Sequence, residues 1–340
     1  MVLCASTDVR NAERVKRALR EKGLFREGYR YQKENGRICF PVTKRSRMKG
    51  VTFVERDLER VAKKHGLKEV LAGELTAAEL ERLKTAYDVL GSIAIIEVDD
   101  GLRSKERAIA EAVLATHKSV KTVLKKLGGH EGELRLQRYG LLAGDDTRKT
   151  IVRENGVRLK IDVEQVYYSI RSATERKRVA SLVKKGERVL VMFSGAAPYV
   201  CVIAKNSNAK EIVGIELNEK GHELGLENLR LNKLKNTVLI QGDVRDVIPE
   251  LHEKEVLFDR IVMPLPHTGH DFLDEAFLVA KEGTVIHLYD FEQEDEFEKA
   301  AEKARAGAAR NKRRIEVLNI TPSGQHSPRV YRVCCDFKVL

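Results

Sequence analysis

The sequence predicts an α/β fold, and three observations within residues 187–243 carry that prediction. The first is an apolar run, Val189-Leu190-Val191-Met192-Phe193, which breaks into a turn of small residues, Ser194-Gly195-Ala196-Ala197-Pro198. The second is a strand pattern, Ile212-Val213-Gly214-Ile215-Glu216, that follows a helical segment and ends on an acid. The third is Thr237-Val238-Leu239-Ile240, running into Gly242-Asp243. Strand, small turn, helix and strand ending in an acid make the front half of a nucleotide-binding α/β unit. Small residues let backbone amides approach a ligand, and an acid at the second strand's tip can hold a ribose diol. A second acid one strand later suits an adenine amino group. No complete G-x-G-x-x-G is present, so the spacing fits S-adenosylmethionine better than NAD. Any parallel α/β domain whose turns happen to be small and acidic would show the same stretch.

The chain has 340 residues, enough for two or three domains. With 42% hydrophobic and 33% charged residues it is expected to be soluble and globular. A formal net charge of +11 favours a polyanionic partner, although a merely lysine-rich surface gives the same number. The five cysteines (Cys4, Cys39, Cys201, Cys334, Cys335) form no C-x-x-C pair, which points to buried thiols in a reducing compartment. Cys334 and Cys335 are neighbours in a strand pattern, so their side chains should face opposite sides. There is no signal-peptide pattern and no apolar run near the ~18 residues of a membrane span. The expected location is cytoplasmic, with no membrane partner.

Taken in order, residues 1–70 read as a small α+β domain. Residues 12–22 form a helix with Val15, Ala18 and Leu19 on one face, and Asn35-Gly36 marks a hairpin. The run Lys44-Arg45-Ser46-Arg47-Met48-Lys49 is a basic loop, a solvated face or a phosphate contact. Thr76 and Glu79 have capping-box spacing. A middle α+β domain is expected over residues 86–150, with strands at 93–98 and 120–124, a helix at 104–117, and a strand at 133–138. In that last strand, strict alternation would set Arg135 and Gln137 on one face. Residues 149–154 and 157–162 pair around Asn155-Gly156, and the third domain, 151–340, begins in this hairpin. A helix starting at Ser172 or Thr174 carries Glu175 in its first turn, where the helix dipole favours a carboxylate on any surface helix. The fourth strand, 258–263, ends in Pro264-Leu265-Pro266 at the sheet edge where ligands bind. A helix at 270–281, a strand at 284–289 and a helix at 294–308 continue the winding. Strands at 315–320 and 329–339 close it as an edge hairpin. Residues 303–314 contribute six basic side chains near that edge.

Several chemistries are disfavoured by the residues themselves. His267 and His270 lie in a Pro/Gly turn without a companion cysteine or second acid, so no metal site is expected. There is no G-x-S-x-G and no Walker loop.

From about residue 132 onward the chain resembles the archaeal and eukaryotic tRNA guanosine-37 N1-methyltransferases. The residues that carry the resemblance are Gly132-Glu133-Leu134-Arg135, Leu142-Ala143-Gly144, Glu154-Asn155-Gly156, Val166-Tyr167-Tyr168-Ser169, Arg171 and Glu175-Arg176. Phe193-Ser194-Gly195 with Pro198-Tyr199, the run Asn228-Leu229-Arg230-Leu231-Asn232-Lys233, and Gly242-Asp243-Val244-Arg245 add to it. The front domains fit that family's arrangement. The resemblance implies a Rossmann-like class I methyltransferase domain preceded by two smaller α+β domains. It also implies S-adenosylmethionine as methyl donor and tRNA as partner, gripped at the anticodon stem-loop and the outer corner.

Guanine N1 keeps its proton at neutral pH, so its methylation needs a base and a cation to stabilise charge on O6. By resemblance, Glu175 matches the base and Arg135 the O6-stabilising arginine. Arg176 matches an RNA-backbone contact, and Pro264 stands where the family places an asparagine beside the target base. Tyr167, Arg171, Phe193, Gly195, Glu216, Leu217, Asp243 and Val244 match cofactor-pocket positions, with Glu216 in place of the usual aspartate. Val191 replaces a customary acid and Ala197 a customary glycine, which puts the cofactor pose in question. Pro264 and the glycine-poor turn resemble the archaeal subgroup that also methylates C7 of the wyosine precursor. An aminocarboxypropyl transferase of wyosine synthesis and a non-catalytic tRNA-binding protein are the other readings. Retention of Arg135 and Glu175 argues against the last.

Overall fold

The computed structural model describes residues 1–60, 66–129, 132 and 134–340. The chain divides into two compact units, Met1–Val70 and Leu71–Leu340.

In the first unit, β1 (Val2–Asp8) is followed by α1 (Ala12–Glu21), β2 (Gln32–Glu34), β3 (Arg37–Pro41) and β4 (Thr52–Arg56). The sheet order is β2-β3-β1-β4, and β1 pairs antiparallel with both β3 and β4. Val15 and Leu19 of α1 meet Ala5, Ile38, Phe40 and Val42 in one core. The β2–β3 turn has Asn35 at φ 48° and Gly36 at φ 70°, the two positive angles that a tight hairpin turn requires.

After α2 (Leu67–Leu71) comes α3 (Ala77–Arg82). Its capping box is made: Thr76 Oγ1 accepts from the Glu79 amide at 3.3 Å, and Glu79 Oε2 accepts from the Thr76 amide at 2.8 Å. Next are β5 (Asp88–Leu90), β6 (Ile93–Ile96), α4 (Glu106–Thr116), β7 (Thr122–Lys126) and β8 (Tyr139–Gly144). They form a sheet in that strand order, with only the β6–β7 pair parallel, so α4 is its crossover helix.

The strand expected at 133–138 does not form. Glu133 lies outside the described residues, Leu134 and Arg135 sit in a turn, and strand structure starts only at Tyr139. Arg135 has φ 52°, a left-handed value that a regular strand cannot contain. Alternation in sequence is a statement about side-chain polarity, and here a turn satisfies it.

β9 (Lys149–Glu154) and β10 (Val157–Asp162) make the second Asn-Gly hairpin, with Asn155 at φ 44° and Gly156 at φ 80°. The remaining elements are α5 (Ala173–Leu182), β11 (Arg188–Val191), α6 (Pro198–Asn206), β12 (Glu211–Glu216), α7 (Glu219–Leu231), β13 (Thr237–Gln241), α8 (Val244–Glu253), β14 (Phe258–Met263), α9 (Leu273–Leu278), β15 (Ala280–Gln293), α10 (Glu298–Arg310), β16 (Ile315–Ser327) and β17 (Val330–Val339).

Their sheet has the order β13-β12-β11-β14-β15-β17-β16. The first five are mutually parallel; β17 runs antiparallel to β15 and to β16. This is the Rossmann-like methyltransferase arrangement with its antiparallel edge hairpin. The period-2 alternation of strands sorts the core into two layers. Val189 and Val191 face the layer with α5, α6 and α7, whereas Leu190 and Met192 face that with α8, α9 and α10. Cys334 and Cys335 divide between the same two layers, as the strand reading expects. All five cysteines are buried and unpaired. Among the described residues, no helix is long and apolar enough to cross a membrane.

Candidate functional site

In an open parallel sheet, the crevice forms where strand order reverses, because adjacent connections leave to opposite faces. Here that point is β11, flanked by β12 on one side and β14 on the other. A cavity of about 150 Å³ sits at the carboxyl ends of these strands. Phe193 and Gly195 follow β11, while Glu216, Leu217 and Asn218 end β12. Gly242, Asp243, Val244 and Arg245 follow β13, and Pro264, Leu265 and Pro266 follow β14. Leu134, Arg135, Val166 and Tyr167 close it from outside the sheet.

The turn after β11 is unusual backbone. Phe193, Gly195 and Ala197 all have positive φ, at 58°, 56° and 62°. For the two non-glycine residues this costs on the order of 1–2 kcal/mol each. Such strain persists only where surrounding contacts hold it, and here they do. The Ser194 amide donates to Ile215 O at 2.8 Å, and the Gly195 amide donates to Glu216 Oε2 at 2.5 Å. Glu216 Oε1 accepts from the Asn218 amide at 2.8 Å. Burial pushes the Glu216 carboxyl above its ordinary pKa, and these two amide bonds pull it back in part. From the other side, Asn228 of α7 is fully buried. Its Nδ2 donates to Ala196 O at 2.9 Å and to Lys160 O at 3.1 Å, and its Oδ1 accepts from the Lys160 amide at 2.6 Å. That asparagine therefore ties helix, hairpin and turn together.

Asp243 caps α8, accepting from the Arg245 amide at 2.8 Å, and the Arg245 guanidinium folds back onto the same carboxylate. Arg245 thereby holds the Asp243 carboxyl below the usual range. Phe193 and Phe272 meet edge to face at 4.9 Å, and the Arg245 guanidinium lies 5.8 Å from the Phe272 ring centre. Two acids at adjacent strand ends, beside an apolar wall of Phe193, Leu217, Val244, Pro264 and Phe272, suit a nucleoside with a diol and a flat base. That donor set fits S-adenosylmethionine.

Two larger cavities adjoin. One, of about 500 Å³, runs from Asp88, Arg171 and Tyr168 to the tip of the β16–β17 hairpin. The other, of about 660 Å³, is lined by Gly132, Arg245, His267, Thr268, Asp271, Phe272 and Glu275 among others. Arg135 lines all three cavities. Its guanidinium stands 5.7 Å from the Tyr167 ring centre.

The expected site residues are thus partly united. Arg135, Tyr167, Phe193, Gly195, Glu216, Leu217, Asp243, Val244 and Pro264 share the first cavity. Arg171 does not line it; it lines the 500 Å³ cavity and forms two bonds to Asp88, at 3.0 and 3.1 Å. Arg176 is only 3% exposed, and its guanidinium is gripped by Glu154 through two 2.6 Å bonds. That grip turns it into the protein, away from the surface an RNA backbone would touch.

Glu175 is also buried. Its Oε1 accepts from the Tyr289 hydroxyl at 2.6 Å, and Arg178 donates to both of its oxygens at 2.7 and 2.8 Å. Arg178 continues to Asp336, with Nη1 to Oδ2 at 2.6 Å. Val191 and Ala197 are fully buried and line no described cavity, so they act on a ligand only through the turn.

Behind the site lies a polar network that the sequence does not reveal. Arg260 Nη1 lies 2.7 Å from His287 Nε2, and His287 Nδ1 lies 2.5 Å from Asp336 Oδ1. Arginine can only donate, so Nε2 accepts and Nδ1 carries the proton to Asp336. Burial holds His287 below its ordinary pKa, in keeping with a neutral ring. His287, Cys334 and Asp336 have the spacing of a metal trio. Both histidine nitrogens are spent on this network, and two arginines already supply its positive charge.

Arg245, Asn218 and Phe272 also line the crevice, although the sequence reading gave none of them a role in the site. The first two carry a signal, each two positions after a strand-end acid, where a side chain or amide folds back. Phe272 carries none, because it arrives from a distant loop.

Residues 150–318 match the family model of the TRM5/TYW2 methyltransferase domain, and residues 67–147 match that of the TYW2 N-terminal domain. The chain is 36% identical to the tRNA (guanine(37)-N(1))-methyltransferase Trm5b of Pyrococcus abyssi, over 100% of this chain and 99% of that one. It is 33% identical to the tRNA (guanine(37)-N(1))/4-demethylwyosine(37)-methyltransferase Taw22 of Nanoarchaeum equitans, over 73% of this chain and 97% of the relative. The crystal structure of P. abyssi Trm5b superposes with a TM-score of 0.74 over 100% of this chain and 99% of that one. A complex of aTrm5 with tRNALeu superposes at 0.70 and 28% identity, covering 99% of this chain and 100% of that one. A family match over residues 150–318 and 36% identity along the whole chain lead to one conclusion: the chain belongs to the TRM5/TYW2 methyltransferase family.

Proposed function

We propose that this protein is an S-adenosylmethionine-dependent tRNA methyltransferase that methylates N1 of guanosine 37. The observation that carries this reading is the position of Arg135, where the crevice at the ends of β11–β14 meets two cavities. Full-length similarity to an N1-methyltransferase, Trm5b of P. abyssi, supports the acceptor atom. The structural likeness to aTrm5 in complex with tRNALeu supports the partner.

S-adenosylmethionine supplies the methyl group. Glu216 and Asp243, with Gly195, Leu217, Val244, Phe193 and Tyr167, would hold its nucleoside. Arg135 offers a guanidinium to the guanine oxygen where negative charge grows as N1 loses its proton. Glu175 is the proposed base. Its carboxylate must turn away from Arg178 and Tyr289 to reach that proton, so RNA binding has to favour the released arrangement. Pro264 contributes shape to the acceptor's surroundings rather than an amide donor.

Methylation at C7 of the wyosine precursor is the second reading, supported by the likeness to Taw22 of N. equitans. The front unit and the β5–β8 sheet are proposed to grip the tRNA outside the reacting base.

Incubation with S-adenosylmethionine and a guanosine-37 transcript, followed by nucleoside mass spectrometry, is the direct test. N1-methylguanosine is the expected product. With tRNA bearing the wyosine precursor, a C7-methylated base would establish the second activity and an aminocarboxypropyl adduct would replace the assignment. Binding of the transcript without any product would reduce the protein to a tRNA-binding role. Glu175→Gln is expected to lower single-turnover N1 methylation by about 100-fold or more, the usual yield of a positioned base. Full-rate methylation by that variant would remove Glu175 from the base role.

A further inference from the structure

The 500 Å³ cavity is bounded at one end by Arg135, Val166 and Tyr167, which it shares with the donor crevice. Its other boundary includes Phe291, Gly324, His326 and Arg332, which belong to β15 and the β16–β17 hairpin. The Phe291 and His326 rings stack with centroids 4.1 Å apart and planes 30° apart, and His267 meets Phe291 edge to face at 5.3 Å. His326 is exposed, as a ring kept only for core packing would not be.

The hairpin is built to hold this pair in place. Register shifts between Pro322 and Gln325, and again between Gln325 and Ser327, re-aim the side chains beside His326. Arg332 fastens the tip, its Nη2 donating to Ser323 O at 2.8 Å and its Nε to Ser323 Oγ at 3.1 Å. Gly324, at φ 133°, allows that approach, since a Cβ there would come 3.3 Å from Arg332 Nη2.

A base that leaves an RNA loop to reach the donor deprives its neighbour of a stacking partner, and an aromatic surface restores that contact whatever the base identity. We propose that Phe291 and His326 form a stacking platform for the base adjacent to the acceptor in the anticodon loop, while the acceptor occupies the end shared with the donor crevice. This rests on the tRNA methyltransferase reading, and it makes the β16–β17 hairpin an RNA-binding element. The net charge of +11 is in keeping with that partner.

The test uses the full chain and two transcripts carrying 2-aminopurine, one on each side of guanosine 37. Bound to the unaltered enzyme, one of the two probes is expected to stay quenched. Phe291→Ala and His326→Ala should each raise its fluorescence and lower kcat/KM by about 10- to 100-fold, the range of base–aromatic stacking. Affinity for S-adenosylmethionine and thermal midpoint should stay unchanged. Phe291→Tyr and His326→Phe, which keep a ring, should restore both readings. Unchanged fluorescence at both positions in the alanine variants overturns the platform, as does failure of the ring-keeping variants to restore it. An unaltered enzyme that binds the transcript without methylating it would sink the activity reading alone, because the fluorescence still decides the platform. A chain that binds no transcript would sink both.

Discussion

At the scale of single residues, the site separates side chains that meet a ligand cavity from those that support it. Glu216 and Asp243 are both strand-end acids, yet their surroundings differ. Burial pushes Glu216 up, whereas the Arg245 guanidinium holds Asp243 down. The supporting network has a consequence for acid stability. Burial opposes the charge on Asp336, but bonds from His287 and Arg178 outweigh it and hold this carboxyl well below the usual carboxylate range. A depressed folded-state pKa contributes stability that is fully present above the unfolded value, about 4, and is lost as pH falls through the folded one. His287 is depressed as well, so its contribution is present above about 6.5 and starts to fade as pH falls below that. Stability should therefore decline in two stages on acidification, first below about pH 6.5 and again below about pH 4. Asp336→Asn, by removing a buried partner of two basic groups, should cost about 3–5 kcal/mol at neutral pH and flatten the second stage. Denaturant titrations of both proteins across pH 3–8 would check this; an unchanged acid profile would contradict it.

At the scale of elements, the decisive packing is α7 against the turn after β11. Gly225 faces Ala197 there. A Cβ at Gly225 would come 2.8 Å from Leu239 Cδ1 and 3.3 Å from Ala197 Cβ. The Ala197 methyl thus fills space that a glycine at 197 would leave open, and glycine at 225 makes room for it. Gly225→Ala gains helix propensity but overpacks this contact, so a net loss of about 1–3 kcal/mol is expected, together with weaker S-adenosylmethionine binding as the turn shifts. Calorimetric unfolding and equilibrium dialysis are the two measurements, and a more stable variant with unaltered binding would refute the expectation. Within the basic run at 303–314, Lys303 has a structural partner. Lys303 points its ammonium at the buried carboxylates of Asp290 and Glu292, at 2.6 and 2.8 Å. It is a structural counterion rather than a phosphate contact.

At the scale of the whole molecule, the surplus positive charge should dominate affinity for tRNA. Raising salt from 50 to 200 mM is expected to weaken binding by roughly a hundredfold or more, through loss of counterion release. Lys44, Arg45, Arg47 and Lys49 are all exposed. Replacing them with glutamine should flatten the plot of log Kd against log salt, whereas Lys303→Gln should leave that slope alone and lower the thermal midpoint instead. Filter binding at several salt concentrations distinguishes the two.

What the sequence determined by itself is what depends on short-range pattern. Apolar runs, Asn-Gly turns and strand-end acids depend on neighbours within a few positions, so the parallel sheet, both hairpins, Glu216 and Asp243 were legible. Arg135 came from the family resemblance and lines the crevice, but the strand drawn around it does not form, because polarity alternates as readily in a turn. Only the tertiary structure decided which way Glu175, Arg176 and Arg171 point. Their partners Tyr289, Glu154 and Asp88 lie 114, 22 and 83 positions away, and no local pattern encodes such pairings. The same holds for the His287–Asp336 network and for the Phe291–His326 stack, both assembled by the pairing of β15 and β16 with β17. Strand order, which is long-range by nature, brought them together.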